Sequence, residues 1–285
     1  MKVLVTGATG FIGNNVVMEL LKNNHQVIAT SRNEQKAKTF SWFNNVKYIP
    51  LNLSRLDNSI NYFNFFDSPE AIIHLAWEGL PNYNALFHIE ENLFRHYFFL
   101  KNLVINGAKD ITVAGTCFEY GLQEGKLNEE LVSFPTNSYA IAKDSLRKFI
   151  EQMQKQIPFS LKWARLFYMY GEGQNPNSLF AQLENALAIG AKEFNMSGGE
   201  QQRDYLSVEK TAKYIVKIAL QKKVEGIINC CSGTPVTINQ LVADFLEERK
   251  QTIKLNKGFY PYPEHEPMNF WGDDKKLNRI LNKRH

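Results

Sequence analysis

The chain begins with a short apolar run, MKVLVTG, that passes directly into ATGFIGNNVVMELLKNNH, where apolar residues recur at Val16, Val17, Leu20 and Leu21. A continuous apolar run ended by glycine reads as a buried parallel strand, and the three-to-four spacing after it reads as a helix. HQVIAT (25–30) is the next strand and completes a βαβ unit. The alternation continues with VKYIPLNL (46–53) and AIIHLAW (71–77) as buried strands. Residues 90–106 predict a helix apolar nearly all round, through Leu93, Phe94, Tyr97, Phe98 and Leu100, and DITVAGT (110–116) predicts a further strand. Asn137 and Ser138 are helix-start residues. Beyond Lys143 the alternation loosens. WARLFYMYGEGQ (163–174) reads as a strand running into a loop, and SLFAQLENALAIG (178–190) as a helix. MSGGEQQRDYLSVEKTAKYIVKIAL (196–220) reads as a glycine turn, Arg203-Asp204 and a second helix, and FWGD before a leucine-containing helix closes the chain. The expected fold class is α/β, a doubly wound parallel sheet, with ligands beyond the carboxyl ends of its strands.

Composition narrows the picture. With 285 residues, 44% hydrophobic and 13% aromatic, the chain can build one large core or two smaller ones. The net charge of +4 comes from scattered lysines rather than a stripe, which excludes a nucleic-acid partner. Three cysteines, Cys117 and the adjacent Cys230 and Cys231, show neither metal spacing nor a disulfide pattern, so a reducing cytoplasm is expected. No run of 18 apolar residues predicts a membrane span. A glycine cluster interrupts the N-terminal apolar run where the core of a signal peptide would continue.

Gly7, Gly10 and Gly13 stand at the turn between the first strand and its helix. The first suits a tight turn, the second lets backbone approach a pyrophosphate, and the third lets helix and strand pack closely. This turn, with Thr9, Phe11 and Ile12, is the expected dinucleotide site. Where an acid would bind the adenosine ribose of NAD, the second strand ends instead in Ser31 and Arg32. A hydroxyl and a guanidinium can take a 2′-phosphate, so NADP is expected, with NAD the alternative.

In NSYAIAKDSLRKF (137–149), Tyr139 and Lys143 share one helical face four residues apart. Tyr97 and Lys101 have the same spacing, but Tyr97 sits inside an apolar helix and packing explains it. Around Tyr139 the chain resembles a family. TGATGFIG, IIHLAW, AGTCFEYG, SYAIAK, RLFYMYGEGQ and QQRDYLSVE follow the order of the extended short-chain dehydrogenases/reductases, which act mainly on nucleotide sugars. That resemblance covers almost the whole chain. It implies a Rossmann domain over 1–165 and, over 166–285, a smaller C-terminal α/β substrate-binding region with some segments returning to the first sheet.

The resemblance makes Thr116, Tyr139 and Lys143 the catalytic set. It adds Asn52, Leu53, Leu75, Ala76, Trp77 and Asn92 to the coenzyme residues, along with Tyr139 and Lys143 themselves. Glu78, Thr116, Phe118, Glu119, Tyr168, Asn177, Ser178 and Arg203 become substrate residues. Arg203 would meet a diphosphate, against the plainer reading of a salt bridge to Asp204, and Glu266 would meet a ribose. A ketone that accepts hydride needs a proton donor, and a lysine ammonium beside a phenol lowers the phenol's pKa. Tyr168 stands where the family usually has asparagine, and Asn52 where it usually has aspartate. Phe118 stands where enzymes resembling GDP-fucose synthase carry a cysteine, with Cys117 one residue early, and no acid follows Thr116 directly as in the dehydratases.

The expected activity is therefore reduction by NADPH of a nucleotide-linked 4-keto-6-deoxyhexose, for the deoxysugars of surface polysaccharide. The alternatives are a 4-epimerase with bound NAD and a non-catalytic NADP sensor. The apolar helix around Leu93 to Leu100, together with the Tyr139 helix, is expected to form a homodimer contact.

Overall fold

The computed structural model describes residues 1–262 and 266–282. Its first βαβ unit is β1 (Lys2–Thr6), α1 (Phe11–Lys22) and β2 (Gln26–Thr30), followed by the short helix α2 (Glu34–Ala37), β3 (Lys47–Tyr48), α3 (Tyr62–Phe65) and β4 (Ala71–His74). A single π-turn, His88–Asn92, opens α4 (Leu93–Ile105), which leads to β5 (Asp110–Thr116), β6 (Gly125–Leu127) and α5 (Ser138–Gln154). Then come β7 (Ser160–Leu166), β8 (Tyr168–Tyr170), α6 (Leu179–Ala188), β9 (Glu193–Asn195), β10 (Gln202–Arg203) and β11 (Tyr205–Ser207). The chain continues through α7 (Val208–Leu220), β12 (Gly226–Cys230), β13 (Val236–Thr237), α8 (Ile238–Glu248), β14 (Lys254–Asn256), β15 (Phe270–Gly272) and α9 (Lys275–Leu281).

Seven strands form one parallel sheet in the order β12-β7-β5-β4-β1-β2-β3. From β1 the chain first winds through β2 to β3. It then crosses back to β4 and winds the other way, so the carboxyl ends of β1 and β4 flank the switch point where such sheets hold ligands. Both faces are covered. Val16, Val17 and Leu20 of α1 pack with Ile215 and Ile218 of α7 on one side, and Leu100 and Leu103 of α4 pack with Leu146 and Ile150 of α5 on the other. A separate apolar cluster joins α6 and α8 through Phe180, Leu183, Val242 and Phe245, beside the two-stranded pairs β11-β8 and β14-β9.

Two expected strands are shorter than the apolar runs that suggested them. Within 46–53 only Lys47 and Tyr48 form a strand, and neither is buried. This is the sheet edge, where Ile49 and Leu51 still donate to the carbonyls of Ala29 and Ser31 at 3.0 and 3.2 Å while Pro50 between them has no N–H to give. Strand β4 stops at His74 because the amides of Leu75 and Ala76 turn to the Thr6 hydroxyl, each at 3.2 Å. The helix expected to be buried all round leaves Phe94 and Phe98 45% and 53% exposed.

Candidate active site

At the end of β1, Gly7 takes a positive φ of 70°, and a Cβ there would stand 2.8 Å from the Ala76 amide nitrogen. A Cβ on Gly13 would meet the Gly7 carbonyl at 2.1 Å, so glycine lets α1 close onto the turn. Gly10 caps α1 with no side chain over the first-turn amides, which suits an anion at that helix end. The groove here measures about 420 Å³ and is lined by Gly7, Thr9, Gly10, Ser31, Arg32, Leu53, Leu75, Ala76 and Trp77. Its size, glycine floor and helix terminus fit a dinucleotide coenzyme. Phe11, Ile12 and Gly13 line the cavity next to it.

That neighbouring cavity, about 510 Å³, is lined by Thr116 and Tyr139 of the expected catalytic set, and Lys143 does not line it. Thr116 ends β5, and its hydroxyl accepts from the Phe118 amide at 3.3 Å. Tyr139 is the second residue of α5, whose start is fixed by the Asn137 side chain accepting from the Ala140 amide at 2.9 Å. The phenol is buried beside Thr116 and packs against Trp77, Tyr83 and His88 at 5.9, 5.7 and 5.5 Å between ring centroids. Burial pushes its pKa well above 10, reinforced by the nearby Tyr83 and Glu119. Burial outweighs the lowering expected from Lys143, so the phenol's pKa does not fall. Lys143 is itself enclosed, donates to the Ala114 carbonyl at 2.9 Å and lies 4.0 Å over the Trp77 ring. Burial brings its pKa down to about 7, partly opposed by Glu119.

Tyr83, Phe118 and Tyr168 form an aromatic wall of this cavity, with Phe118 in edge contact with the other two at 5.2 and 6.1 Å. No charged side chain lines it among the described residues. It shares Tyr83, Tyr168 and Gln174 with a third cavity of about 520 Å³ that also holds Asn177, Ser178, Arg203 and Glu266. Arg203 pairs there with Glu266 at 2.9 Å and lies 4.7 Å over the Phe270 ring. It does not pair with Asp204, whose carboxylate accepts the amides of Ser232, Gly233 and Gly272 at 2.7, 3.0 and 3.2 Å.

Four expected contacts fall elsewhere. Glu119 is fully buried, bonded to Arg165 at 2.7 Å, to Trp163 at 2.9 Å and to the Thr116 amide at 2.9 Å, so it braces the site from behind and cannot touch a substrate. Asn52 turns its side chain onto the Ser54 amide and hydroxyl at 3.0 and 2.8 Å. Asn92 is buried and donates to the Glu78 carbonyl at 3.0 Å, holding that loop without lining the groove. Glu78 itself lines the coenzyme groove rather than the sugar cavity and reaches Arg32 at 2.8 Å.

Sequence reasoning missed Tyr83, Lys36, His96 and Gln174, each of which lines one of these cavities. Gln174 ends the RLFYMYGEGQ stretch and Lys36 lies four residues past Arg32, while His96 sits on the predicted helix over 90–106. Spacing along the chain did not say that these side chains face a cavity.

Residues 3–231 match the family model described as the NAD dependent epimerase/dehydratase family. Across 95% of this chain and 99% of the relative, the sequence is 30% identical to the dTDP-6-deoxy-L-talose 4-dehydrogenase (NAD(+)) of Aggregatibacter actinomycetemcomitans. It is 23% identical to the dTDP-4-dehydro-6-deoxyglucose reductase of Escherichia coli, over 90% of this chain and 82% of that one. Among solved structures, the UDP-glucuronic acid 4-epimerase from Bacillus cereus, in complex with UDP-glucuronic acid and NAD, superposes with a TM-score of 0.85. It is 22% identical, with coverage of 100% of this chain and 94% of that one, and so shares the Rossmann-type fold.

Proposed function

This chain belongs to the NAD-dependent epimerase/dehydratase family, and from that premise we propose that it is a 4-ketoreductase acting on a nucleotide-linked 4-keto-6-deoxyhexose, a step that read backwards is a 4-dehydrogenation. When bound, the reduced nicotinamide supplies the hydride. The protein's own share is the proton and the field around it. Tyr139, kept neutral by burial, is a phenol ready to give its proton to the carbonyl oxygen as that oxygen becomes an alkoxide. The Thr116 hydroxyl, which lines the same cavity beside Tyr139, can donate to the same oxygen. The Lys143 ammonium, one helical turn away, favours the phenolate left behind.

The observation that carries this reading is the absence of charge from the cavity around Tyr139 and Thr116 among the described residues. Dehydration and epimerisation next to the ketone need a group that strips a carbon-bound proton; no carboxylate or histidine lines this cavity, and burial raises the pKa of the Cys117 thiol that does, which makes it a poor base. Its aromatic walls also suit a C5 methyl group, whereas a uronate carboxylate would need a cation there. The 30% identical relative named as a 6-deoxytalose 4-dehydrogenase supports the same substrate class. Arg203 faces the neighbouring cavity, a natural place for the nucleotide diphosphate once Glu266 yields. The test is incubation of the purified protein with NADH or NADPH and a panel of 4-keto-6-deoxy nucleotide sugars. Stoichiometric coenzyme oxidation is expected, and interconversion of 4-hydroxyl isomers with no net coenzyme change would favour the epimerase instead.

The lowered Lys143 pKa carries a sign. Below about pH 7 the amine is charged, and above it the charge is lost. The value of kcat/KM for reduction is therefore expected to fall as pH rises through about 7. Lys143→Met should remove that inflection along with most of the rate. A wild-type profile flat between pH 6 and 8.5 would refute the assignment.

We also propose that the chain pairs with a second copy through α4 and α5. The two helices lie side by side, with Tyr97 and Phe149 in edge contact at 5.6 Å, and Phe94, Phe98, Ile141 and Phe149 are exposed along them. Light scattering at micromolar concentration should give a dimer mass, and Phe98→Lys a monomer. A monomeric wild type would end the proposal.

A further inference from the structure

Arg32 and Glu78 stand on opposite banks of the coenzyme groove. Arg32 follows β2 and Glu78 follows β4, and these strands flank β1 on either side in the sheet. Their side chains meet over the carboxyl end of β1, Nη1 to Oε1 at 2.8 Å, and both line the groove. The two ends of this strap are held differently. Glu78 is tethered to α4 and the turn that opens it, because its backbone carbonyl accepts from Asn92 at 3.0 Å and its second carboxylate oxygen lies 3.9 Å from Arg95. Arg32 has a side chain 65% exposed and no such tether. Beside it, Lys36 lines the same end of the groove with no carboxylate partner among the described residues, while the Ser31 hydroxyl is engaged with Tyr48 at 2.9 Å.

Dinucleotide sites choose between their two coenzymes at the adenosine 2′ position, where an acid accepts from a ribose hydroxyl and a guanidinium donates to a phosphate. Here the acid that β2 lacks comes from the β4 side. A 2′-hydroxyl can enter with the strap closed and donate to Glu78. A 2′-phosphate would have to separate Arg32 from Glu78 and then sit near a carboxylate that stays anchored. We propose that Glu78 is the coenzyme-selectivity residue of this chain: its grip on Arg32 turns the groove toward NAD(H), and its removal releases Arg32 and Lys36 for the 2′-phosphate of NADP(H). The NADP expected from Ser31 and Arg32 assumed an arginine free to meet that phosphate, which the strap denies. This rests on the groove being the coenzyme site of the function proposed above. It does not depend on which sugar is the substrate.

The test is binding rather than turnover. The full chain and its Glu78→Gln variant are titrated with NADH and with NADPH, following quenching of intrinsic tryptophan fluorescence, since Trp77 lines the groove. Wild type should bind NADH more tightly than NADPH. Glu78→Gln should move the ratio of the two dissociation constants toward NADPH by about fivefold, the upper range for one exposed, charge-assisted contact. Adding Arg32→Gln in that background should cancel the gain. A wild type that already favours NADPH would overturn the proposal, and needs no variant to do so. An unchanged ratio in Glu78→Gln, or a gain that survives loss of Arg32, would overturn it as well. If neither coenzyme quenches wild type, the groove is not a coenzyme site, and both this proposal and the functional reading fall.

Discussion

Replacing Tyr139 by phenylalanine lowers turnover by about 10² or more and leaves coenzyme binding in place. The change removes one oxygen from a ring whose packing against Trp77, Tyr83 and His88 is retained. What disappears is the proton donor beside Thr116, in a cavity with no carboxylic acid or histidine among the described residues to take over. The loss therefore falls on kcat, and a fluorescence titration of the variant should give coenzyme dissociation constants close to wild type. A rate equal to wild type would remove Tyr139 from the mechanism. Loss of coenzyme binding together with rate would make it a packing residue instead.

Glu119→Ala is expected to destabilise the fold by about 3–5 kcal/mol, the cost of leaving one member of a buried ion pair uncompensated. Glu119 and Arg165 have side chains 0% and 1% exposed and meet at 2.7 Å. The carboxylate also accepts from Trp163 and from the Thr116 amide, so its loss strands three donors in the core. Chemical denaturation followed by circular dichroism measures the effect. Glu119→Leu combined with Arg165→Met should recover much of the stability, because the remaining charge goes too. The substrate contact first expected of Glu119 makes the opposite prediction, namely unchanged stability with a raised KM for the nucleotide sugar. That pair of results would refute the bracing role.

Reading the chain without its fold placed β1 and β2 within a residue and α1 within three at either end, and placed Tyr139 in the first turn of its helix. It overextended β3 because an apolar run looks the same at a sheet edge as at its centre, and only neighbouring strands tell the two apart. It assigned Glu119 and Glu78 to the substrate because both lie close in sequence to site motifs. Proximity along the chain cannot say which way a carboxylate points.

What the amino-acid order determines by itself is therefore local. Glycine at a positive φ, the Asn137 cap, and a phenol and an amine one helical turn apart all follow from interactions spanning a few residues. The tertiary structure decides what those groups do. Lys143 loses its proton near pH 7 and Tyr139 keeps its own because each is enclosed by side chains from distant segments. Glu78 closes on an arginine 46 positions away. Charge state and ion pairing depend on burial and on partners brought in by other strands, and neither is encoded in a local stretch.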